Sequence, residues 1–447
     1  MNQIRAVVRP SASSPARRGR LAQVGAAACL AAATVASAAM PASAAPAKGV
    51  TLTFWSWVPG IEASVNLWNK SHPGIQVKLD EVTSGNAGTY AKMFSALQAG
   101  NAPDLGQVEY ATLPNFEHVG GLVDLSKYGA ASVKNDFVGW TWGQVSQAGG
   151  VYAIPQDTGP MGLFYRQDLF KKYGLAVPKT WTQYMADAVA LHKADPNAYI
   201  AAFPANDGQW FSGLAWQAGA RWFSISGDSW VSSINDGPSV KVANFWQQLI
   251  SKHLVKIEPD FAPSWYKDLS DGTVLTWPTA VWGENTIMTN AASTKGDWRV
   301  TALPNWGAKA ANGNWGGSTT VVFKDTKYPQ QATQFAEWLN TNPASITGLI
   351  TKGGLYPADI AGQGQKVLSQ GVPFYGGQNI WAVFRANSKL VNTNFQWGPI
   401  MSTTFTQIAD GFGNLANGST TVAKVLASAQ SQTVSAMKSQ GFSVKAG

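Results

Sequence analysis

The chain has 447 residues, of which 45% are hydrophobic and only 13% are charged. This composition supports a packed core and excludes a disordered chain, and the length predicts more than one lobe or domain, at about 100–200 residues each. The net charge of +8 is misleading, because the first 44 residues contain five arginines and no acidic residue, so that the remainder carries only +3. The chain has no clustered basic face, which argues against a nucleic-acid-binding protein.

The first 44 residues have the organisation of an export signal. A positively charged segment, residues 1–20, precedes an uncharged run rich in Ala and Val from Leu21 to Met40. The triplet Ala42-Ser43-Ala44 then fits the small-x-small pattern of a cleavage site. A membrane-spanning helix is the alternative, but the run is weakly apolar and is closed by Pro41. We therefore predict a signal peptide, 1–44, and an exported protein at the cell surface or outside the cell.

The single cysteine, Cys29, lies inside this segment. Ala26-Ala27-Ala28-Cys29 is a loose version of a lipoprotein box, so a lipid anchor at Cys29 is an alternative to soluble secretion. The uncharged run continues after Cys29, which favours secretion. Cleavage after Ala44 would leave a mature chain without cysteine, hence without disulfides or thiol chemistry.

The mature chain opens with a strand–helix–strand pattern. Thr51–Trp57 alternates as a strand, Ile61, Val65 and Trp68 recur at helical spacing, and 75–79 alternates again. This unit builds parallel sheets.

Later segments repeat the alternation of strands and helices. Residues 152–155 and 162–166 are extended, and Thr180 and Gln183 form a capping box that opens a helix. Apolar residues at helical spacing predict further helices around 332–339 and 422–434. The sequence therefore predicts an α/β fold.

Common catalytic and metal-binding motifs are absent from the sequence. The chain has no HExxH, CxxC, GxSxG, P-loop or helix-opening GxGxxG, and its four histidines are widely separated. We therefore predict no metal and no cofactor, and a protein that is not an enzyme. A glycosidase would need two carboxylates at a fixed separation, which a sequence cannot demonstrate.

An ordered series of segments resembles the extracellular solute-binding proteins of ABC-type sugar importers, of the maltose and oligosaccharide type. The resemblance covers most of residues 50–360, and the 361–447 segment is similar only loosely. The matching segments are TLTFWSWVPGIEASVNLWNKSHPGIQV (51–77), AGNAPD (99–104), YAIPQDTGPMGLFYRQDLFK (152–171), PKTW (178–181), LP (303–304), WGGST (315–319), FAEWL (335–339) and YPA (356–358).

This resemblance implies two α/β lobes joined by a hinge, with the ligand in the cleft between them. We expect the chain to cross between the lobes near Asp157, near Leu303 and at 340–343. The first lobe would then contain 45–157 and 303–341, and the second 158–302 and 342–447. The resemblance also implies a monomer that binds a sugar or oligosaccharide and delivers it unaltered to a membrane permease.

A sugar presents an apolar C–H face, which stacks on aromatic rings, and hydroxyls, which need directed hydrogen bonds. The predicted site therefore combines aromatic side chains with acidic or basic ones, at strand ends and at family positions. Trp68, Trp181 and Trp338 are assigned to the core. The candidate ligand-binding residues are Trp57, Glu62, Glu109, Tyr110, Asp157, Trp216, Trp282, Glu284, Trp315, Gly316, Gly317, Trp381 and Arg385.

Two other functions remain open on the sequence. A secreted carbohydrate-active hydrolase could use Asp157 and Glu284 as its pair of carboxylates. The same fold could also bind a polyol, glycerol phosphate or a polyamine, because a polyamine suits acidic and aromatic residues as well as a sugar does.

Overall fold

The structure is a computed structural model that describes residues 49–85, 88–147 and 149–447. The predicted signal peptide, its cleavage site after Ala44 and Cys29 lie outside the described residues. Of the helices in the described ranges, none is both long enough and apolar enough to cross a membrane.

Strands and helices alternate along the described chain, as the sequence predicts. The strands are β1 (Val50–Ser56), β2 (Ile75–Glu81), β3 (Leu105–Glu109), β4 (Ser146–Gln147), β5 (Gly150–Val151), β6 (Ala153–Pro155), β7 (Met161–Arg166), β8 (Tyr199–Pro204), β9 (Phe223–Ser226), β10 (Ser229–Ser232), β11 (Val255–Glu258), β12 (Val274–Ala280), β13 (Trp298–Thr301), β14 (Ser318–Val322) and β15 (Val444–Ala446).

The helices connect these strands and cover the faces of the sheets. They are α1 (Glu62–Ser71), α2 (Thr89–Ala99), α3 (Leu113–His118), α4 (Gly139–Val145), α5 (Gln167–Lys172), α6 (Trp181–Ala194), α7 (Gly208–Ala218), α8 (Gly237–Ser251), α9 (Pro263–Asp271), α10 (Gly283–Asn290), α11 (Pro329–Thr341), α12 (Pro343–Thr351), α13 (Ile360–Gln363), α14 (Ile380–Ser388), α15 (Met401–Phe412) and α16 (Val422–Ser439).

Two five-stranded mixed sheets organise the described residues. The first has the order β2-β1-β3-β14-β6 and the second has the order β11-β8-β12-β7-β13. In the first sheet β1 pairs in parallel with β2 and β3, with Leu52 opposite Val77, whereas β14 runs antiparallel to β3 with Ser318 opposite Glu109. The carboxyl end of β3 and the start of β14 therefore meet at one edge, where ligands bind in such sheets.

The helices divide between the two sheets and so define two lobes. In the first lobe, α1, α11 and α12 pack together beside the first sheet, and in the second lobe α14 packs on β7 and β13 while α15 and α16 pack with α7 and α8. The boundary expected at 342 falls between α11 and α12, yet both helices pack with α1.

Three segments run side by side between the lobes. Residues 157–160 lie in the middle, with Thr158 N donating to Tyr356 O (2.8 Å) on one side and Trp315 N donating to Gly159 O (2.9 Å) on the other. Gly159 is required here because an added Cβ would lie 1.9 Å from the carbonyl oxygen of Trp315. The close approach of these backbones joins the two lobes at a narrow connection.

The sequence predicts several local features that the structure confirms. Thr180 and Gln183 form the capping box at the start of α6, whose Tyr184, Ala188 and Leu191 are buried. Trp68 and Trp181 are buried in the core. Trp338 is half-buried against the core, with its ring 5.4 Å from that of Trp68.

Candidate functional site

Asp157 lies in the central connecting segment and is held by the edge of the first sheet. Its Oδ1 accepts a hydrogen bond from Ser318 N at 2.7 Å, and the residue is only 8% exposed. Gly317, at positive φ, lets the backbone pass between this carboxylate and Tyr110, whose N–H donates to Gly317 O at 3.2 Å. An added Cβ at Gly317 would meet the Tyr110 ring at 3.0 Å. Asp157, Tyr110 and Gly317 thus form one surface.

Glu109, the last residue of β3, continues that surface on the first lobe. Its carboxylate accepts a hydrogen bond from the Tyr90 hydroxyl at 3.1 Å, while its own N–H donates to the same hydroxyl at 3.0 Å. The Trp57 ring packs edge-on against Tyr90, with centroids 5.8 Å apart. The end of β3 and the residue after β1 therefore bring a carboxylate, a phenol and an indole together.

Aromatic rings of the second lobe meet the connecting segments from the other side. Trp282 Nε1 donates to the carbonyl of Trp315 at 3.0 Å, and the two indoles cross at a centroid distance of 4.5 Å. The rings of Phe261 and Trp277 lie within 6.4 Å of both indoles. This cluster contains two predicted residues, Trp282 and Trp315, and two that the sequence analysis did not select.

Two carboxylates of the second lobe complete the group. Asp207 follows β8 and caps α7 by accepting a hydrogen bond from Trp210 N at 2.8 Å. Asp260 follows β11 and is only 5% exposed, yet both of its carboxylate oxygens lack a hydrogen-bond partner. A buried carboxylate with so few hydrogen bonds is costly.

The acids influence one another electrostatically, and the interaction of Glu109 with Asp207 joins the two lobes. Burial, opposed by the N–H of Ser318 and reinforced by the charge of Glu109, raises the pKa of Asp157 to about 7. Burial and the charge of Asp207 raise the pKa of Asp260 to about 7, and burial raises the pKa of Asp207 itself to about 6. The pKa of Glu109 is also raised, by burial and by Asp207 on the opposite lobe.

Glu284 and Trp381 lie together in a neighbouring cavity of about 300 Å³, lined by residues of both lobes, including Pro59. Burial raises the pKa of Glu284 to about 7. The Trp381 ring is half-buried and nearly parallel to that of Tyr356, at a centroid distance of 6.4 Å.

The remaining candidates lie elsewhere. Glu62 is exposed in the first turn of α1. Trp216 is fully buried, stacked on Phe395 at 4.4 Å, and its Nε1 donates to the carbonyl of Asn392. Arg385 donates to the carbonyls of Gln363 and Leu368, so its guanidinium is held by the backbone of its own lobe.

The structure therefore brings together most of the predicted site and adds residues to it. The assembled residues are Trp57, Glu109, Tyr110, Asp157, Trp282, Trp315, Gly316 and Gly317, with Tyr90, Asp207, Asp260, Phe261 and Trp277 as additions. Asp207 and Asp260 could have been found by applying the strand-end argument to β8 and β11. Within the described residues, no group of three or more His, Cys, Asp or Glu side chains could hold a metal ion.

The two mixed sheets form two lobes joined by three connecting segments, and both lobes contribute to one acidic, aromatic surface. These features define a two-lobed binding protein of the periplasmic type. The family model for the bacterial extracellular solute-binding protein matches residues 55–346. The chain belongs to this family.

Relatives and solved structures agree with this assignment. The chain is 24% identical over 353 residues to the lactose-binding protein of Rhizobium radiobacter, covering 74% of this chain and 81% of that protein. It is also similar to the galacto-N-biose-/lacto-N-biose I-binding protein of the ABC transporter from Bifidobacterium longum, whose structure is a complex with lacto-N-biose. The two structures superimpose with a TM-score of 0.81 at 30% sequence identity, over 90% of this chain and 100% of that one. The TM-score is 0.75 for the ABC transporter associated binding protein from B. animalis subsp. lactis Bl-04 in complex with β-1,6-galactobiose, at 28% identity, over 89% and 100% of the two chains.

Proposed function

We propose that the protein is the substrate-binding component of an ABC importer and that it captures a sugar or oligosaccharide outside the membrane. The observation that carries this proposal is a series of neighbouring buried acids beside the crossed indoles of Trp282 and Trp315. Asp157 is next to Glu109, Glu109 interacts with Asp207 of the second lobe, and Asp207 interacts with Asp260. Indole rings border the same surface. Carboxylates accept hydrogen bonds from sugar hydroxyls, and aromatic faces cover the C–H face of the ring.

The two lobes would close on the sugar by bending at the three connecting segments. We propose that residues 49–157 and 318–351 belong to the first lobe, and that 161–301 and 380–447 belong to the second. Closure removes water from the cleft and is favoured only by the extra affinity of the sugar for the closed form. The closed protein, acting as a monomer, would then present both lobes to a membrane permease and release the sugar unaltered.

The direct test is a titration of the purified mature protein with neutral sugars, monitored by tryptophan emission and melting temperature. The panel begins with lactose, lacto-N-biose and β-1,6-galactobiose, because these are the sugars named for three of the similar proteins. A sugar at one hundred times its Kd should stabilise the fold by about 2.7 kcal/mol. Trp282→Ala should weaken binding at least about tenfold, whereas the control Trp338→Ala should not change the affinity.

The same titration separates the other functions. Spermidine and glycerol are included in the panel, and the bound oligosaccharide is recovered and analysed for cleavage. If spermidine binds and no sugar does, the ligand is a polyamine. If cleavage products are found, the protein is a hydrolase. No response to any sugar would contradict the proposed function.

A further inference from the structure

A second groove lies at the contact between the lobes, outside the proposed sugar site around Glu109, Asp157, Asp207 and Asp260, which is called the acidic cleft below. It comprises two cavities of about 250 Å³ and 230 Å³ that share Pro114, Glu117 and Gln147 as lining residues. Trp397 lines the first cavity, and Tyr152 and Trp230 line the second. Together the cavities reach the volume of ordinary small-molecule sites, which begin at about 300 Å³.

The centre of the groove is a carboxylate without a counter-charge. Glu117 forms no ion pair or side-chain hydrogen bond within the described residues, and burial raises its pKa to about 8. No Lys or Arg lines either cavity. The side-chain amides of Gln147 and Gln396 also have no protein partner in the described chain, so that the groove offers hydrogen-bond donors as well as acceptors.

The groove is separated from the acidic cleft by a row of buried rings. Tyr110, which borders Asp157, packs against Trp140 at 5.5 Å, Trp140 packs against Trp216 at 5.5 Å, and Trp216 stacks on Phe395 at 4.4 Å. Phe395 lines the groove. A ligand in the groove therefore does not share contacts with a ligand beside Asp157.

We propose that this groove is a second carbohydrate-binding site, which takes a neutral mono- or disaccharide through contacts separate from those of the cleft. Hydroxyls both donate to Glu117 and accept from the amides, whereas an ammonium group could only donate. The flat rings of Trp230 and Tyr152, both half-buried, supply the apolar contact that a sugar face requires.

Occupation of the groove would favour the closed form of the protein. Glu117 and Gln147 belong to the first lobe, whereas Trp230 and residues 393–397 belong to the second. The lobes already touch here, because Gln144 Nε2 donates to Phe395 O at 2.6 Å and the His118 and Phe442 rings lie 3.8 Å apart. A sugar bound to both walls therefore binds the closed form better than an open one.

The test is calorimetric titration of the full mature protein, carried to about 50 mM of each panel sugar, since a shallow site of this kind is expected to have a Kd near the millimolar range. We expect two steps for at least one sugar, the weaker of them from the groove. At pH 9, where Glu117 is ionised because its pKa is about 8, Glu117→Gln should weaken the second step about tenfold and leave the first unchanged, and Trp230→Ala should do the same. The control is Glu81→Gln, an exposed carboxylate outside the groove.

Asp260→Asn provides the complementary variant, since it alters the cleft alone and should weaken only the first step. Melting temperatures and circular dichroism establish that each variant is folded.

A single step for every sugar, or a second step that Glu117→Gln does not change, overturns the proposal. Binding of choline or spermidine, but of no sugar, at Glu117 would overturn it in favour of a cation site. Loss of the first step alone would contradict the proposed function and not the groove.

Discussion

At the scale of single residues, the proposed site contains buried acidic side chains that differ in their hydrogen bonds. Asp157 retains one strong hydrogen bond, from Ser318 N, whereas Asp260 retains none at its carboxylate. The two carboxylates therefore differ in how many hydrogen bonds the protein itself supplies. Asp157 is fixed in place by the first sheet, while the carboxylate of Asp260 has only the side chain of Asn206 as a neighbouring hydrogen-bond donor.

Asp260→Asn should weaken sugar binding about tenfold, because a charge-assisted hydrogen bond becomes a neutral one. The same change should stabilise the ligand-free fold at pH 8 by about 1 kcal/mol, since an unpartnered buried charge is removed. Calorimetric titration and chemical unfolding measure the two effects. Asp228→Asn, at an exposed position, is the control and should change neither. A fall in stability with unchanged affinity would show that Asp260 serves the fold and not the ligand.

At the scale of elements, backbone contacts determine how the lobes are joined and how their helices begin. The segment 157–160 is so close to 313–316 that Gly159 and Trp315 touch through backbone atoms. In α6 the capping box satisfies backbone N–H groups at the start of the helix. The contact at Gly159 is expected to affect both stability and sugar binding, whereas the cap of α6 is expected to affect stability alone.

Gly159→Ala should separate the connecting segments, because its Cβ would lie 1.9 Å from Trp315 O and that oxygen belongs to backbone. We expect a loss of about 1–3 kcal/mol in the free energy of unfolding, together with weaker sugar binding, since Trp315 would shift. Urea unfolding and titration measure both. Gly139→Ala is the matched control, because nothing lies within 4 Å of its added Cβ. Equal stability of the two variants would contradict this account of the connection.

Thr180→Ala should destabilise the protein by about 1 kcal/mol without changing the affinity for sugar, because it removes only the cap of α6. Thermal unfolding with and without sugar is the measurement. Thr180→Ser, which keeps the hydroxyl, should restore the stability. A change in affinity larger than about twofold would show that α6 is coupled to the cleft.

At the scale of the whole molecule, closure of the empty protein would bury acidic side chains of both lobes and bring like charges together. The pKa of Asp157 and of Asp260 is about 7 in this arrangement and that of Asp207 is about 6, compared with an ordinary value of 3.8. Between about pH 4 and 7 the closed form therefore binds more protons than a form in which these groups are exposed to water. Raising the pH removes those protons and disfavours the closed form.

The radius of gyration of the sugar-free protein, measured by small-angle X-ray scattering, should accordingly be larger at pH 8 than at pH 5. Saturating sugar should suppress the difference, because the hydroxyls offset the repulsion. Asp207→Asn should reduce it, since one of the opposed charges is gone. A radius that stays constant, or that grows as the pH falls, would contradict the sign of this effect.

Much of the fold could be predicted from the sequence because its signals are local. Thr180 and Gln183 identify the start of α6, and the alternation of 51–57 identifies β1, which lies at Val50–Ser56. The lobe boundary expected near 342 stays a prediction. Asn342 caps α12 and Pro343 begins it, which produces a local break between two helices that pack against each other.

The residue types of the site were also predictable, but not its full membership. Trp216 and Trp282 are equivalent as sequence, yet Trp216 is fully buried and Trp282 borders the connecting segments. Asp207 and Asp260 are separated by 52 intervening residues, and only the parallel pairing of β8 with β11 brings the loops that follow these strands together. Asp207 also carries the local signature of a helix cap, which conceals its position opposite Glu109.

The sequence by itself determined the alternation of strands and helices, the capping of α6 and the supply of acidic and aromatic residues, because short-range sterics and hydrogen bonding decide these. Only the tertiary structure decided which acids face each other and which indoles are enclosed in the core. Burial and electrostatic repulsion depend on distances between residues far apart in the chain, and those distances exist only once the two sheets and their connecting segments are assembled.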